Sequence, residues 1–194
     1  MTSFSRLFPV CVVVLHFVFC CVGCTEGPCR TASPSVSPQA GVPCDDLYTG
    51  HGNPFDPGEL AVKTAHVARC TGDAPLDLTV YAPESAGSYA VVVFQHGFMA
   101  RNAAYSEILR HLAGHGFVVV APQMYEPGIG PLFGHSTAAK EAEWAAVLLD
   151  WLPNNLDGIA GVHACMDRLG LAGHSRGGKV VWLVLSKDPS RAKA

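Results

Sequence analysis

The feature that most constrains this chain is a five-residue run, Gly173-His174-Ser175-Arg176-Gly177. It directly follows the apolar stretch 169–172 and opens a stretch of helical periodicity, 177–186. A strand that passes into a helix through one sharp turn forces the central residue into a sparsely allowed backbone conformation. The residues two positions either side must then be small, because strand and helix pass closely there. The pattern predicts that Ser175 stands above the end of a strand, at the N-terminus of a helix. Backbone N–H groups and the helix dipole favour negative charge at such a point. A serine so placed is a candidate nucleophile for acyl transfer.

The rest of the chain supplies the sheet that such a turn needs. Residues 61–68 and 76–82 read as two strands, and the short link between them makes them an antiparallel pair. Residues 89–95 and 117–121 are continuous apolar strands of the kind buried on both faces. Asn102 is the expected N-cap of a helix with Tyr105, Ile108, Leu109 and Leu112 on one face, and Gly116 is its expected end. Residues 123–135 form a Gly/Pro-rich loop, and 137–152 an amphipathic helix with Ala138, Ala142, Ala145, Leu149 and Leu152 inward. With the strand at 169–172 and the helix after it, the order is β-β-β-α-β-α-β-α. That order predicts an α/β fold, its sheet mostly parallel after the first hairpin, with helices on both faces.

A second motif, Phe94-Gln95-His96-Gly97-Phe98, ends the third strand. Acyl transfer needs two N–H donors aimed at the developing oxyanion. One is expected from the backbone of Arg176, the residue after the nucleophile, and the other from the backbone of Phe98. Gly97 lets the chain turn closely past the site. His96 is expected to bond loop backbone, and His174 to be buried beneath the turn. The Arg176 side chain is open to two readings, substrate contact or a surface ion pair. The Phe98 ring, with Leu132 and Phe133 from the apolar segment 129–133, is a candidate lining for a substrate pocket; simple loop packing is the alternative for the latter two.

These motifs carry a family resemblance. Gly173-His174-Ser175-Arg176-Gly177-Gly178-Lys179 resembles the lipase motif of plant chlorophyllases. The block from Val92-Val93-Phe94-Gln95-His96-Gly97-Phe98 through residues 105–125, and Asp150-Trp151-Leu152, are similar to the same family. Bacterial polyester hydrolases and cutinase-like lipases are related but usually carry Met where this chain has Arg176. The resemblance implies an α/β-hydrolase fold and a cofactor-free serine carboxylic-ester hydrolase acting on small apolar esters. It implies an acyl-enzyme at Ser175, with a histidine as base and a carboxylate to orient it.

In that fold the acid and the histidine follow the serine in the chain. After Ser175 there is no histidine and one acid, Asp188. Along the helix Asp188 lies about 20 Å from the serine at ~1.5 Å per residue, at the wrong helix end. The expectation is therefore the N-terminal portion of the fold, incomplete at its C-terminus, with the fifth strand left as an apolar edge. Two other readings use the same residues: a non-catalytic, surface-anchored remnant or binding module, and an acyltransferase or haloperoxidase.

Composition narrows the partners. The chain is 49% hydrophobic and 15% charged, with a formal net charge of −3, which gives no electrostatic footprint for nucleic acid. Nine histidines are scattered without metal-ligand spacing, so no metal is expected. At the N-terminus Arg6 precedes an almost wholly apolar run, 7–22, shorter than the ~20 apolar residues of a membrane span. Residues 1–23 read as a signal peptide, 24–46 as a Ser/Pro-rich linker and 47–194 as the folded domain. Cys21-Val22-Gly23-Cys24 resembles a bacterial lipobox, with Cys21 in place of the usual aliphatic residue. Attachment to a membrane through a lipid on Cys24 and plain cleavage to a secreted product are the two alternatives. An exported chain can pair its cysteines, here Cys29, Cys44, Cys70 and Cys165 beside Cys24, in a pattern the sequence leaves open.

Expressed in a bacterium with its own N-terminal segment, the protein is expected to leave the cytoplasm and to be cut next to Cys24. Mass spectrometry of the mature N-terminus reads both parts. A cytoplasmic product retaining Met1 would end the export reading, and an unmodified Cys24 would end lipidation alone.

Overall fold

Runs of β-branched residues that can be buried on both sides make the centre of the sheet. The computed structural model describes residues 44, 48, 53–126 and 136–193. Strands β1 (Val62–Val67), β2 (Asp77–Pro83), β3 (Ser88–Gln95), β4 (Phe117–Gln123) and β5 (His163–Gly173) form one sheet in the order β1-β2-β4-β3-β5. β1 and β2 pair antiparallel, as do β2 and β4; β4, β3 and β5 run parallel. Val91, Val93, Val118, Val119 and Val120 in the two middle strands are at most 1% exposed, which places the core across the parallel part of the sheet.

Helices cover both faces. α1 (Ser106–Gly114) buries Leu109 and Ala113 against Tyr81, Phe94, Val119 and Ala121. On the other face lie α2 (Ala138–Trp151), the short α3 (Leu156–Ala160) and α4 (Arg176–Lys187). There Ala142, Trp144, Ala145, Leu148, Leu149, Val180 and Val184 join the larger apolar cluster. Thr137 caps α2, its hydroxyl accepting the Lys140 N–H at 3.2 Å. The architecture is that of an incomplete α/β-hydrolase fold. Among the described residues β5 forms its ladder with β3 alone. Its outer side takes one backbone hydrogen bond, from Lys193 N–H to Leu169 O at 2.8 Å.

Several local expectations change. Asn102 does not cap the helix: residues Asn102–Tyr105 form a 3-10 turn that precedes it. The Asn102 amide instead donates to Ala121 O at 2.8 Å, and its N–H to Gln123 Oε1 at 2.8 Å, so it pins the turn to β4. The fifth strand is much longer than 169–172. Its first part pairs Ala90 with Cys165 and its second Val91 with Leu169, so residues 166–168 bulge out between them. The exposed Asp167 and Arg168 in that bulge break the apolar run and hide the strand. α2 also buries Glu141, Trp144 and Leu148, which the apolar pattern did not select.

Cys44 is joined to Cys165 of β5 by a disulfide across 121 residues of sequence, and Cys70 is also disulfide-bonded. The expected signal segment, Cys24, the rest of the linker before Cys44, and Leu132, Phe133 and His135 lie outside the described residues. Among the described residues no helix is long and apolar enough to cross a membrane.

A cross-link closing so long a loop restricts the unfolded chain strongly, and such bonds typically contribute about 2–4 kcal/mol. Cys44→Ser is expected to lower the unfolding free energy by about that amount, read from urea melts under non-reducing conditions. Equal stability with and without the bond would show that Cys44 is not held there in solution.

Candidate active site

The site is built where the carboxyl ends of β3 and β5 meet the start of α4. Ser175 is the N-cap residue of α4, with φ 54° and ψ −114°. That is a left-handed φ in a residue that bears a side chain, and it is held by its surroundings. A Cβ on Gly173 would lie 2.5 Å from the carbonyl carbon of Gly177. A Cβ on Gly177 would lie 2.1 Å from the Gln95 carbonyl oxygen and 2.7 Å from that of His96. Both glycines are therefore obligatory at this approach. The strand-turn-helix predicted from the sequence is present, and Ser175 is exposed at its apex. Its hydroxyl makes no capping bond to the helix.

The loop after β3 is fastened at three points. His96 is 3% exposed, and both ring nitrogens are committed. Nε2 accepts the Met124 N–H at 3.0 Å, so Nδ1 carries the proton and donates it to Gly97 O at 2.8 Å. Gly97 N–H donates to the Tyr105 hydroxyl at 3.1 Å, and Met99 N–H to the Tyr125 hydroxyl at 2.9 Å. Met99 sits at φ 58°, where the chain reverses. The backbone of Phe98, the expected oxyanion donor, lies between two anchored amides. The Phe98 ring is 48% exposed and Met99 46%, so the mouth of the site is apolar.

Beside Ser175 opens a cavity of about 610 Å3, lined by Phe98, Ser136, Thr137, Ala138, Ser175, Arg176 and Lys179. The Arg176 side chain makes a part-buried ion pair, not a surface one. Its Nη2 donates to Glu141 Oε1 at 2.6 Å and to the Ser136 carbonyl, and Nε donates to Glu141 Oε2 at 3.3 Å. The Glu141 side chain is 2% exposed and also accepts the Ser136 hydroxyl at 2.7 Å. The guanidinium carbon lies 5.0 Å from the centre of the Phe98 ring and 5.9 Å from that of Tyr125. Glu141 and the two tyrosines are parts of the site that motif reading missed. The acid was legible only as an odd charge on the inward face of α2.

The histidines resolve differently from expectation in one case. His174 is exposed, not buried beneath the turn, and its Nδ1 lies 3.0 Å from the Tyr105 hydroxyl. His111 and His115 pair with Pro54 O and Asp56 O and belong to the far end of α1. Asp188, at the far end of α4, accepts from Ser190 and Arg191. A separate cluster, Cys44, His163 and Cys165, brings three ligand atoms within 4.8 Å of one another, but its two sulfurs are joined in the disulfide.

Burial is the main cause that holds the His96 imidazole below its ordinary value of 6.5, against the raising effect of its bond to Gly97. The folded state thus takes up this proton less readily than the unfolded chain. The stability it contributes is full above the unfolded value and falls as pH drops through it toward the depressed folded value. The loss is at most about 1.4 kcal/mol per pH unit for one group. Thermal melts at pH 5 and 7.5 are expected to differ more in the native protein than in His96→Gln, which has no proton to gain there. An identical pH dependence in both would show that His96 stays neutral for another reason.

Comparisons with known proteins point to one family. A model of the chlorophyllase family matches residues 51–189. Chlorophyllase-2 of Arabidopsis thaliana is 32% identical over 145 residues, covering 74% of this chain and 44% of that protein. Chlorophyllase-1 of the same plant is 36% identical over 138 residues, covering 67% and 40%. Chlorophyllase type 0 of Chenopodium album is 36% identical over 120 residues, covering 58% and 33%. The chain thus spans less than half the length of these curated relatives, and within that span it belongs to the chlorophyllase family.

Proposed function

We propose that the protein is a serine carboxylic-ester hydrolase that works through an acyl-enzyme at Ser175. The observation that carries this reading is the backbone of Ser175, held at positive φ between two glycines that have no room for a side chain. The Ser175 hydroxyl attacks the ester carbonyl, the alcohol leaves, and water then releases the acid. The backbone N–H groups of Phe98 and Arg176 stabilise the oxyanion, with the positive end of α4 behind them. His96 is excluded as the base, since both its nitrogens are committed to backbone groups. On this reading a histidine acts as the base and a carboxylate orients it.

The substrate class is an apolar ester. Phe98 and Met99 present exposed apolar surface at the mouth, and Arg176 beside them is matched by Glu141 and does not offer a free cation. The relatives' name points to chlorophyll as one ester to try. Export with lipid attachment at Cys24, or plain secretion, is the proposed location.

In a polypeptide extended through the length the relatives cover, a fluorophosphonate probe is expected to label Ser175. Ser175→Ala is expected to lower turnover of aryl esters by several orders of magnitude. Short- and long-chain aryl esters and chlorophyll, assayed side by side, rank the substrates. Unchanged turnover in the alanine variant would overturn the assignment, and no labelling at all would favour a binding module on the same fold.

A further inference from the structure

We propose that Tyr105 is a positioning residue whose hydroxyl couples the oxyanion loop to the nucleophile turn. The proposal rests on the reading of Ser175 given above. The Gly97 amide donates to the Tyr105 oxygen at 3.1 Å, and an amide can do nothing but donate. The same hydroxyl lies within hydrogen-bond distance of its other neighbour, His174 Nδ1, at 3.0 Å. One hydroxyl thus joins the residue before Phe98 to the residue before Ser175, across 69 positions of sequence from Tyr105 to His174.

The surroundings favour this bond. Tyr105 ends the 3-10 turn that Asn102 pins to β4, so its backbone is fixed from the sheet. Its ring is tilted against Phe94 at 4.8 Å between centres and against His174 at 5.8 Å. Ring packing alone can place the side chain, and the hydroxyl is a separate addition. A Cβ on Gly97 would lie 2.9 Å from His174 Nδ1 and 3.1 Å from the Tyr105 oxygen. The glycine is thus what lets the imidazole and the phenol close over the loop.

The coupling matters because the two oxyanion donors belong to different segments. The Phe98 amide follows Gly97, and the Arg176 amide comes two residues after His174. They stabilise the same oxygen only if the two segments hold a fixed relation, and misplacement by about 1 Å can cost as much as 100-fold in rate. A backbone bond, His174 N–H to Gln95 O at 3.1 Å, ties the segments below the site. The Tyr105 hydroxyl ties them at the level of the donors.

Tyr105→Phe removes the hydroxyl and keeps the ring. In the extended polypeptide, with active sites counted by fluorophosphonate titration, kcat and kcat/KM are expected to fall together by about 10-fold or more while KM stays within about twofold. The rate of phosphonate labelling should fall in the same proportion. His174→Ala should give a similar loss, and Tyr105→Phe added to it should cost little more, because both remove one link. A drop in melting temperature with unchanged kcat, a rise in KM alone, or fully additive losses would each overturn the proposal. If Ser175→Ala retains turnover, the nucleophile reading fails and this one with it. If Ser175→Ala is inactive and Tyr105→Phe is normal, this proposal alone fails.

Discussion

The near-contact between α4 and the end of β3 is the constraint on which the rest of the site depends. A Cβ on Gly177 would sit 2.1 Å from the Gln95 carbonyl oxygen, and one on Gly173 would strike the backbone of Gly177 and Gly178. Removing both side chains lets the helix start directly over the strand that precedes it. The turn between them is then only two residues, His174 and Ser175, and Ser175 is driven to φ 54°. The same approach brings the His96 and Gly97 backbone beside the helix N-terminus. The Ser175 hydroxyl, the positive end of α4 and the loop after β3 share one location because two side chains are missing.

Around that contact the loop is held by side chains that offer few alternatives. His96 is buried and uses one nitrogen as donor and the other as acceptor, both to backbone. Tyr105 and Tyr125 take the amides on either side of Phe98. Each amide beside Phe98 is thus spent on a phenol oxygen and not on fluctuating water. These partners come from the residues just after β4 and from the turn before α1, so the loop is held from the end of the sheet.

How much of this the sequence made legible follows from the range of each interaction. The strands at 62–67, 77–83, 88–95 and 117–123 and the turn at Ser175 are written in local pattern: β-branched runs, alternation, and glycines two residues either side of a serine. They were readable because each depends on neighbours within a few residues. The first half of β5 was not readable, since Asp167 and Arg168 interrupt the apolar run and only pairing with β3 shows that they are a bulge. Asn102 looked like a helix cap because its local context fits one; its partners on β4 lie about twenty positions away. His174 was expected beneath the turn, and the exposed position it takes depends on Tyr105, 69 residues earlier. Each miss is a contact between distant segments; those of Asn102 and His174 lie in or next to the site, and the bulge lies toward the opposite end of β5.

Arg176 shows most clearly how such a distant contact changes chemistry. Read alone, an arginine beside Ser175 puts a cation at the edge of the cavity. Glu141, from the inward face of α2 and 35 positions away, meets the guanidinium through both carboxylate oxygens. Removing one partner of so enclosed a pair leaves the other uncompensated, so the two are held together by the cost of separation more than by net attraction. The rings of Phe98 and Tyr125 lie near the guanidinium at 5.0 and 5.9 Å, within the range where a cation favours an aromatic face. What faces the cleft is then a flat group matched in charge and fixed in place by hydrogen bonds. The clamped guanidinium fixes the position of α2 relative to α4 at the edge of the cavity, and a single buried acid holds it there.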